Sequence, residues 1–587
     1  MARVAEAIDR RFGWSHLPRP IALAVLIGIR TQLRAKNLHG TGRGPADRPP
    51  DSLATADYDA KTARTIAGTH NDLDDPLMGS TGSRFGRNVP VGRTHPDAPG
   101  DLLSPSPRTV SQRLLTRDRF RPATTLNVLA AAWIQFEVHD WVSHGTTDGD
   151  PWDIPLDERD QWADPPMTIK RTAPDPSPDG FGAPTFVTGD SHWWDASQIY
   201  GNTRAYADAL RAGYMGKLRI DEQLLPPRDV EQLDDLSGNA GNSWLGLAAV
   251  HSLFLREHNA ICDHLVAANP HLSDQQIYEK ARLVNSALLA KIHTIDWTPA
   301  IIAHPTTVFA MRANWFGLLG ERFARMFGRL TESELLQGIP GSPTNHHGVP
   351  YSLTEEFVAV YRMHPLIPDD YEFRSAADNR ILATHELPDL TVRHIRDRLT
   401  EIPMDDVLYS LGRSHPGEIT LHNFPVHLQA HQRADGSLID LAAADVLRIR
   451  ERGVPRYNEF RRLFRLKPAE TFEELTDDPV WAEELRQVYG DVERVDLMIG
   501  LYAEKKPAGF GFSETAFRVF TLMASRRLSS DRFLTRDFRA EVYTDAGMQW
   551  VHANSMRTVL LRHSPSLEPA LRGVANPFKQ WTAVGSK

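Results

Sequence analysis

The sequence predicts a mainly α-helical protein made of one large domain with an N-terminal helical arm. Helical periodicity recurs along the 587 residues, whereas alternating strand patterns are few. Length alone suggests roughly four domains at about 150 residues each. No internal repeat divides the chain, however, and its long polar stretches are typical of wrapping loops. We therefore expect only an arm, residues 1–110, and a main helical domain, residues 111–587.

Five segments carry the helical pattern most clearly, residues 127–141, 244–265, 276–292, 355–364 and 479–489. Three stretches rich in Pro, Gly and Asp lie between such segments, residues 39–52, 86–108 and 171–184. We interpret these stretches as ordered wrapping loops or mobile arms rather than as separate domains.

The composition excludes several classes of protein. With 41% hydrophobic and 24% charged residues, the chain is neither disordered nor fibrous. Its 66 basic and 75 acidic residues give a net charge of −9, and no strongly basic segment indicates a nucleic acid partner. The single cysteine, Cys262, cannot form an internal disulfide, which favours a reducing, cytoplasmic compartment. With 24 histidines, imidazole and oxygen are the expected ligands of any metal.

The N-terminal arm contains one apolar run, residues 20–29. Ten residues cannot cross a bilayer, which takes about 20. Arg30 and Arg34 follow the run where a signal peptide would have small residues, so we expect no signal peptide. Two interpretations remain: an ordinary buried helix, or an interfacial helix that lies on a membrane with its flanking arginines and Trp14.

The first candidate site residues lie on the predicted helix 127–141. Gln135 and His139 are four residues apart and therefore project from one face. A histidine on an apolar helix is compatible with a core residue whose hydrogen bonds are provided by a neighbouring side chain. It is also compatible with a distal haem histidine, a neutral imidazole that moves the proton of a bound peroxide. Asp140 points to another side of the helix and is available for a different site.

A second group concentrates oxygen donors within residues 191–197. Ca²⁺ takes about six to eight oxygen ligands, and the candidates here are the side chains of Ser191, Asp195 and Ser197, the carbonyl of Trp193 and the carboxylate of Asp140. The alternative is a turn held by local side-chain to backbone hydrogen bonds. A bound cation would fix the helix that presents His139.

The third group is the segment 355–365, which we predict to be helical until Pro365 ends it. Phe357, Tyr361 and His364 then lie on one face. A histidine at a helix end can ligate haem iron from a rigid position, and Tyr361 would lie beside the macrocycle. A core tyrosine with a capping histidine is the alternative.

Together these motifs resemble the peroxidase–cyclooxygenase superfamily of haem proteins, and their order along the chain agrees. The resemblance is closer to the fatty-acid α-dioxygenases of plants and bacteria, and it spans nearly the whole chain. The segments that carry it are residues 85–88, 134–141, 193–195, 256–259, 360–364, 525–528 and 531–533.

The resemblance implies a role for each matching residue. His139 is similar to the distal histidine and Gln135 belongs to the same catalytic side. His364 is similar to the proximal iron ligand, with Asp445 as its polar partner. Tyr361 is similar to the tyrosine that becomes a radical.

The remaining positions concern calcium and the substrate. The calcium ligands implied are Asp140, Ser191, Trp193, Asp195 and Ser197. His293 and Thr298 match residues of the substrate pocket, and His293 with Arg526 or Arg527 resembles the site that holds the fatty-acid carboxylate. Spacing leaves the choice between the two arginines open.

The implied activity is that of a fatty-acid α-dioxygenase with non-covalent haem b and Ca²⁺. Residues 238–243 lack the arginine and glutamate with which animal peroxidases cleave peroxide and attach haem. Peroxide is the implied activator and a long-chain fatty acid and O₂ are the substrates. Hydrogen is removed from C2 and O₂ adds there. The alternatives are a cyclooxygenase-like or linoleate-type dioxygenase that attacks a bis-allylic carbon, a haem peroxidase, or a haem- or lipid-binding protein without turnover.

Overall fold

Helices dominate the computed structural model, which describes residues 2–42, 61–94, 97–147, 149–163, 165–176, 183–227, 243–433 and 436–585. In the first half the α-helices are α1 Ala2–Phe12, α2 Arg19–Lys36, α3 Pro99–Leu102, α4 Pro107–Val110, α5 Val128–Trp141, α6 Ser197–Tyr200, α7 Arg204–Leu210, α8 Leu245–Ala268, α9 Asp274–Ile292 and α10 Thr298–Ile301. Next come α11 Pro305–Phe316, α12 Gly320–Phe327, α13 Glu334–Gln337, α14 Glu355–Val360, α15 Ile395–Glu401, α16 Met404–Arg413, α17 Leu441–Glu451 and α18 Tyr457–Leu463. The last are α19 Phe472–Leu475, α20 Pro479–Tyr489, α21 Leu497–Ala503, α22 Glu514–Ser530, α23 Ala540–Tyr543, α24 Asp545–Ala553, α25 Met556–His563 and α26 Glu568–Leu571.

Strands are few and short. The described residues form three antiparallel two-stranded ribbons, β1 Trp152–Asp153 with β2 Thr168–Ile169, β3 Asp370–Arg374 with β4 Ile381–Glu386, and β5 His431–Gln432 with β6 Leu438–Ile439. In the longest ribbon Tyr371 pairs with His385. The expected mainly α class is confirmed.

The central helix is α5, which is apolar on all sides and is therefore a core helix. Asn127 begins it, because its side-chain oxygen accepts a hydrogen bond from the backbone N–H of Ala130 at 3.2 Å. Phe136 of α5 stacks on Phe254 of α8 with ring centroids 5.8 Å apart. This packing makes α5 a rigid support for the polar side chains that it carries.

Four of the five predicted helices are confirmed as α5, α8, α9 and α20. The fifth prediction, a helix from 355 to 364, is wrong at its end. α14 stops at Val360, and His364 instead begins a short 3-10 turn, His364–Leu366. Pro365 disfavours the α-helical conformation for the residue before it, so Tyr361 and His364 do not share one helical face.

The N-terminal arm packs onto the main body. One face of the apolar run in α2 turns inward, with Ala22, Val25 and Ile29 buried, whereas Ile21 on the other face is 49% exposed. Trp14 donates from Nε1 to the carboxylate of Glu514 in α22. Among the described residues no helix is long and apolar enough to span a membrane. The division into arm and main domain stays a prediction.

Cys262 is buried in α8 as a free thiol, and burial raises the pKa of that thiol. This agrees with a packed cysteine without a catalytic role. Residues 238–242, 43–52 and 177–182, which belong to segments discussed above, lie outside the described residues.

Candidate active site

A cleft lies between α5 on one side and the chain around His364 on the other. It encloses about 1260 Å³ of empty space, part of it open to solvent. Gln135 and His139 line one wall, and Tyr361 and His364 line the other. The rest of the lining is largely apolar, and a cleft of this size accepts a large flat ligand.

His364 is oriented by a carboxylate. Its Nδ1 lies 2.6 Å from Oδ2 of Asp445 in α17, and Oδ1 of Asp445 forms an ion pair with Arg362 at 3.0 Å. Burial would raise the pKa of Asp445, but the charge of Arg362 and the hydrogen bond from His364 outweigh it and lower that pKa. An ionised Asp445 fixes the proton on Nδ1, which leaves Nε2 of His364 with its lone pair for a metal. The expected partnership of these two residues is therefore present.

The opposite wall carries the expected pair on α5. His139 is buried, and burial lowers its pKa to about 4, so the imidazole is neutral at pH 7. Trp244 donates from Nε1 to Oε1 of Gln135 at 2.7 Å, which holds that amide in place. A neutral imidazole on a rigid helix can accept a proton and return it.

Tyr361 is buried between this cleft and a second group of aromatic side chains. Its ring lies 4.4 Å from the ring of Phe357 and 5.7 Å, edge on, from that of Trp141. Burial raises the pKa of the phenol, so Tyr361 keeps its proton at neutral pH.

On the far side of Trp141 lies His293, which begins a π-helical turn, His293–Trp297, between α9 and α10. Such turns are frequent at functional sites. Trp133 donates from Nε1 to Nδ1 of His293 at 3.2 Å, and burial lowers the pKa of His293 well below its ordinary value. The neutral ring therefore carries its proton on Nε2. Thr298 donates to the carbonyl of His293 at 2.7 Å.

The two adjacent arginines of α22 have different surroundings. Arg526 donates to the carbonyls of Val349 and Pro350 at 2.9 Å each. Arg527 is also buried, and its Cζ lies 3.7 Å from the ring centroid of Trp141 and 4.1 Å from that of Trp194. Nε and Nη2 of Arg527 have no hydrogen-bond partner in the described part of the chain. Of the two arginines, Arg527 is therefore the one with donors available to an anion.

The sequence analysis missed Glu137, which is the single charged side chain inside the apolar stretch 128–138 of α5. It is fully buried, and neither carboxyl oxygen has a hydrogen-bond partner among the described residues. Burial, followed by the charge of Asp140, raises its pKa well above the ordinary value. An acidic residue on a helix with no polar face was the signal that could have revealed it.

The expected calcium residues lie together at the other side of α5. Asp140 accepts from the backbone N–H and the hydroxyl of Ser197 at 2.6 and 2.9 Å, and Ser191 donates to Asp195 at 2.7 Å. Oδ1 of Asp195 is buried without a partner in the described residues. Burial and the charge of Asp195 raise the pKa of Asp140.

Arg282 lies 3.7 Å from Oδ2 of Asp195 and leaves Oδ1 of that carboxylate without a partner among the described residues. A cation fits at Oδ1, where it would also offset the repulsion between Asp140 and Asp195. The set has only two carboxylates. Accordingly, no group of three or more His, Cys, Asp or Glu suited to a metal occurs in the described ranges.

Comparison with known proteins identifies the family. A model of the animal haem peroxidase family matches residues 63–574. Alpha-dioxygenase PIOX of rice, Oryza sativa subsp. japonica, is 40% identical over 98% of this chain and 94% of its own length. A crystal structure of Oryza sativa fatty acid alpha-dioxygenase covers 99% of this chain and 97% of its own, at 38% identity and a TM-score of 0.91. The chain belongs to the fatty acid α-dioxygenases. A second crystal structure, of a tyrosine-to-phenylalanine variant of the rice enzyme with palmitic acid, matches equally well.

The family identifies this α-dioxygenase as a haem enzyme with a single peroxidase-like helical domain. The cleft fits a haem, because it presents imidazoles from both walls and is otherwise largely apolar. His364, with its Nδ1 bonded to Asp445, has the arrangement of a metal-ligating histidine.

Proposed function

We propose that this α-dioxygenase oxygenates C2 of a long-chain fatty acid through a radical on Tyr361. One observation carries the assignment: the buried Tyr361 lines the cleft of His139 and His364 and also contacts Trp141, on which Arg527 rests. A single phenol thus lies between a cofactor cleft and an anion site.

In this proposal His364 holds the iron of a non-covalent haem b through Nε2. When bound, the haem supplies the oxidising power that peroxide activates. Asp445 keeps the proton on Nδ1 of His364 and leaves Nε2 available to the iron. His139, neutral and assisted by Gln135, takes a proton from the peroxide and returns it.

Arg527 is the residue we assign to the substrate carboxylate, because it offers two unpartnered donors and is buried among aromatic rings. His293 adds an Nε2–H donor and Thr298 fixes the turn that carries it. Holding the carboxylate there keeps C2 near the phenol oxygen of Tyr361. The guanidinium of Arg526 already donates to backbone carbonyls, so we assign Arg526 a structural role.

The phenol of Tyr361 would give one electron and its proton to the oxidant that the peroxide-activated haem supplies. The resulting phenoxyl oxygen takes a hydrogen atom from C2 of the fatty acid, which restores the phenol and leaves a carbon radical at C2. O₂ adds to the C2 radical. The peroxyl radical takes the hydrogen atom back from Tyr361, which gives the 2-hydroperoxy fatty acid and restores the phenoxyl radical.

We further propose that Ca²⁺ binds Asp140, Asp195, Ser191, Ser197 and the carbonyl of Trp193. The unpartnered Oδ1 of Asp195 and the hydroxyl groups around it support this. The cation would cancel the repulsion between the two aspartates and would hold α5 in place.

The test is a comparison of saturated and polyunsaturated substrates. O₂ uptake with palmitate and a 2-hydroperoxy product, or the 2-hydroxy acid after mild reduction, is expected. If the purified haem protein consumed O₂ with linoleate only, and the oxygen were found at a bis-allylic position, the cyclooxygenase-like alternative would replace this proposal. Turnover of small phenols with peroxide but none of fatty acids would favour a peroxidase.

A further inference from the structure

Glu137 is a carboxylic acid in the apolar helix α5, and the site as described so far gives it no role. Its side chain is fully buried, and neither carboxyl oxygen has a hydrogen-bond partner in the part of the chain that the structure describes. A buried polar group without a partner destabilises the folded state, so such groups are rare in native proteins. A bound ligand that supplies the missing hydrogen bond would account for its presence.

The face of α5 that carries Glu137 is the face that packs on His293. Successive residues of an α-helix are rotated by about 100°, which places Glu137 midway between Trp133 and Trp141 around the helix axis. Trp133 donates to Nδ1 of His293 at 3.2 Å, and the ring of Trp141 lies 5.3 Å from the ring of His293. Because His293 contacts the residues one turn before and one turn after Glu137, the carboxyl group lies on the side of His293.

Arg527 approaches the same face of α5 from α22. Its Cζ lies 3.7 Å from the ring centroid of Trp141, which is one turn after Glu137. Nε and Nη2 of Arg527 and Nε1 of Trp141 are buried without a partner among the described residues. Unpartnered polar atoms of three side chains are therefore concentrated beside one turn of α5, and a bound polar group would satisfy them.

The surrounding charges favour a neutral Glu137. The groups that face it are Asp140 on its own helix, Arg527 of α22, and the neutral side chains of His293 and Tyr361. Burial and the charge of Asp140 raise the pKa of Glu137, and the opposite effect of Arg527 does not cancel them. A neutral Glu137 leaves the positive charge of Arg527 to an incoming carboxylate, whereas an ionised Glu137 would repel that carboxylate.

We propose that Glu137 binds the substrate carboxylate as a neutral acid, donating its O–H to one carboxylate oxygen beside the guanidinium of Arg527. The inference rests on the proposed function, in which Arg527 holds that carboxylate. A hydrogen bond from a neutral donor to a carboxylate is short and strong. Glu137 would thus favour a carboxylate over an alcohol as the headgroup, and would restrict the position of C2 relative to Tyr361.

The experiment is calorimetric titration of the haem protein with laurate, without O₂ or peroxide, so that binding is measured without turnover. Glu137→Met removes the donor and keeps an unbranched side chain of similar length. This variant is expected to raise the Kd for laurate at least about 10-fold, the value of a hydrogen bond to a charged group, and to change the Kd for dodecanol less. Glu137→Gln should keep most of the affinity for laurate, because its amide N–H can still donate.

Phe136→Leu is the matched control on the same helix. Phe136 packs on Phe254 of α8, so this variant should lower the melting temperature and leave the Kd for laurate unchanged. Glu137→Met is expected to have a higher melting temperature than wild type, because it removes an unsatisfied buried group. Weaker binding by a more stable protein separates a contact with the substrate from a structural role.

Two results would overturn the proposal. Tighter laurate binding by Glu137→Met would show an ionised Glu137 that repels the substrate, and an unchanged Kd would show that its carboxyl group does not reach the substrate. Arg527→Met distinguishes this inference from the proposed function. Weaker binding in Arg527→Met alone removes only Glu137 from the carboxylate site, whereas unchanged binding in both variants overturns the site itself. Normal laurate binding by a wild type without O₂ uptake would count against the proposed function and leave the result on Glu137 intact.

Discussion

Substitution of Arg527 by methionine tests the proposed substrate site. Met keeps an unbranched side chain on the Trp141 and Trp194 rings but removes the two donors, Nε and Nη2, that have no partner in the described residues. A carboxylate that accepts both makes two charge-assisted hydrogen bonds, each worth about 1.5–3 kcal/mol. At the lower value their loss costs about 3 kcal/mol, or roughly a 100-fold fall in kcat/KM.

The assay is initial O₂ uptake over a range of palmitate concentrations, with the Soret band as a check that haem is bound. Arg526→Met is the matched control on the same helix, and it is expected to lower the melting temperature with little change in KM, because Arg526 donates to backbone carbonyls. The kcat/KM of Arg527→Lys should lie between those of wild type and Arg527→Met, since lysine keeps the positive charge but cannot make the bidentate hydrogen bonds of a guanidinium. An Arg527→Met enzyme with the KM of wild type, together with a raised KM in Arg526→Met, would refute the assignment.

Three further predictions concern residues around the site. Asp445→Asn is expected to weaken haem retention by about 10- to 100-fold while His364→Ala abolishes it, as measured by haem transfer to apomyoglobin; equal retention in Asp445→Asn and wild type would contradict this. Glu137→Met is expected to raise stability by about 1–3 kcal/mol. Because the pKa of Glu137 is raised in the folded state, the free energy of unfolding of wild type is highest below the pKa of the unfolded state. It falls as pH rises from that value to the folded pKa, since only the unfolded state then ionises. The advantage of the variant should therefore grow with pH in urea denaturation, and a pH-independent advantage would contradict it. Chelation of Ca²⁺ is expected to lower the melting temperature of wild type but not of Asp195→Asn. An unchanged melting temperature of wild type after chelation would contradict the proposed Ca²⁺ site.

Local pattern sufficed to predict several parts of the site. α5 was predictable because an apolar run with an asparagine at its start specifies a buried, capped helix. The four-residue spacing of Gln135 and His139 predicts that both face one side, and both line the cleft. The motif at 361–365 indicates His364, whereas Asp445, which lies 2.6 Å from it, follows only from the family resemblance.

Other features depended on contacts that spacing does not encode. Arg526 and Arg527 are neighbours on α22 and point about 100° apart, so their roles depend on which distant segments pack there. The chain leaves α14 at Val360, although the apolar spacing continues to His364 and Pro365 restricts only the residue directly before it. Glu137 belongs to no motif in the sequence, and its complete burial depends on the segments that pack around α5.

The most direct test of the central claim is O₂ uptake by Tyr361→Phe with palmitate as substrate. The substitution removes only the hydroxyl group, and the ring contacts with Phe357 and Trp141 can remain. The account predicts a normal Soret band, normal haem content and no palmitate-dependent O₂ uptake above background. A Tyr361→Phe enzyme that consumes O₂ with palmitate at the rate of wild type would show that hydrogen abstraction does not pass through this residue.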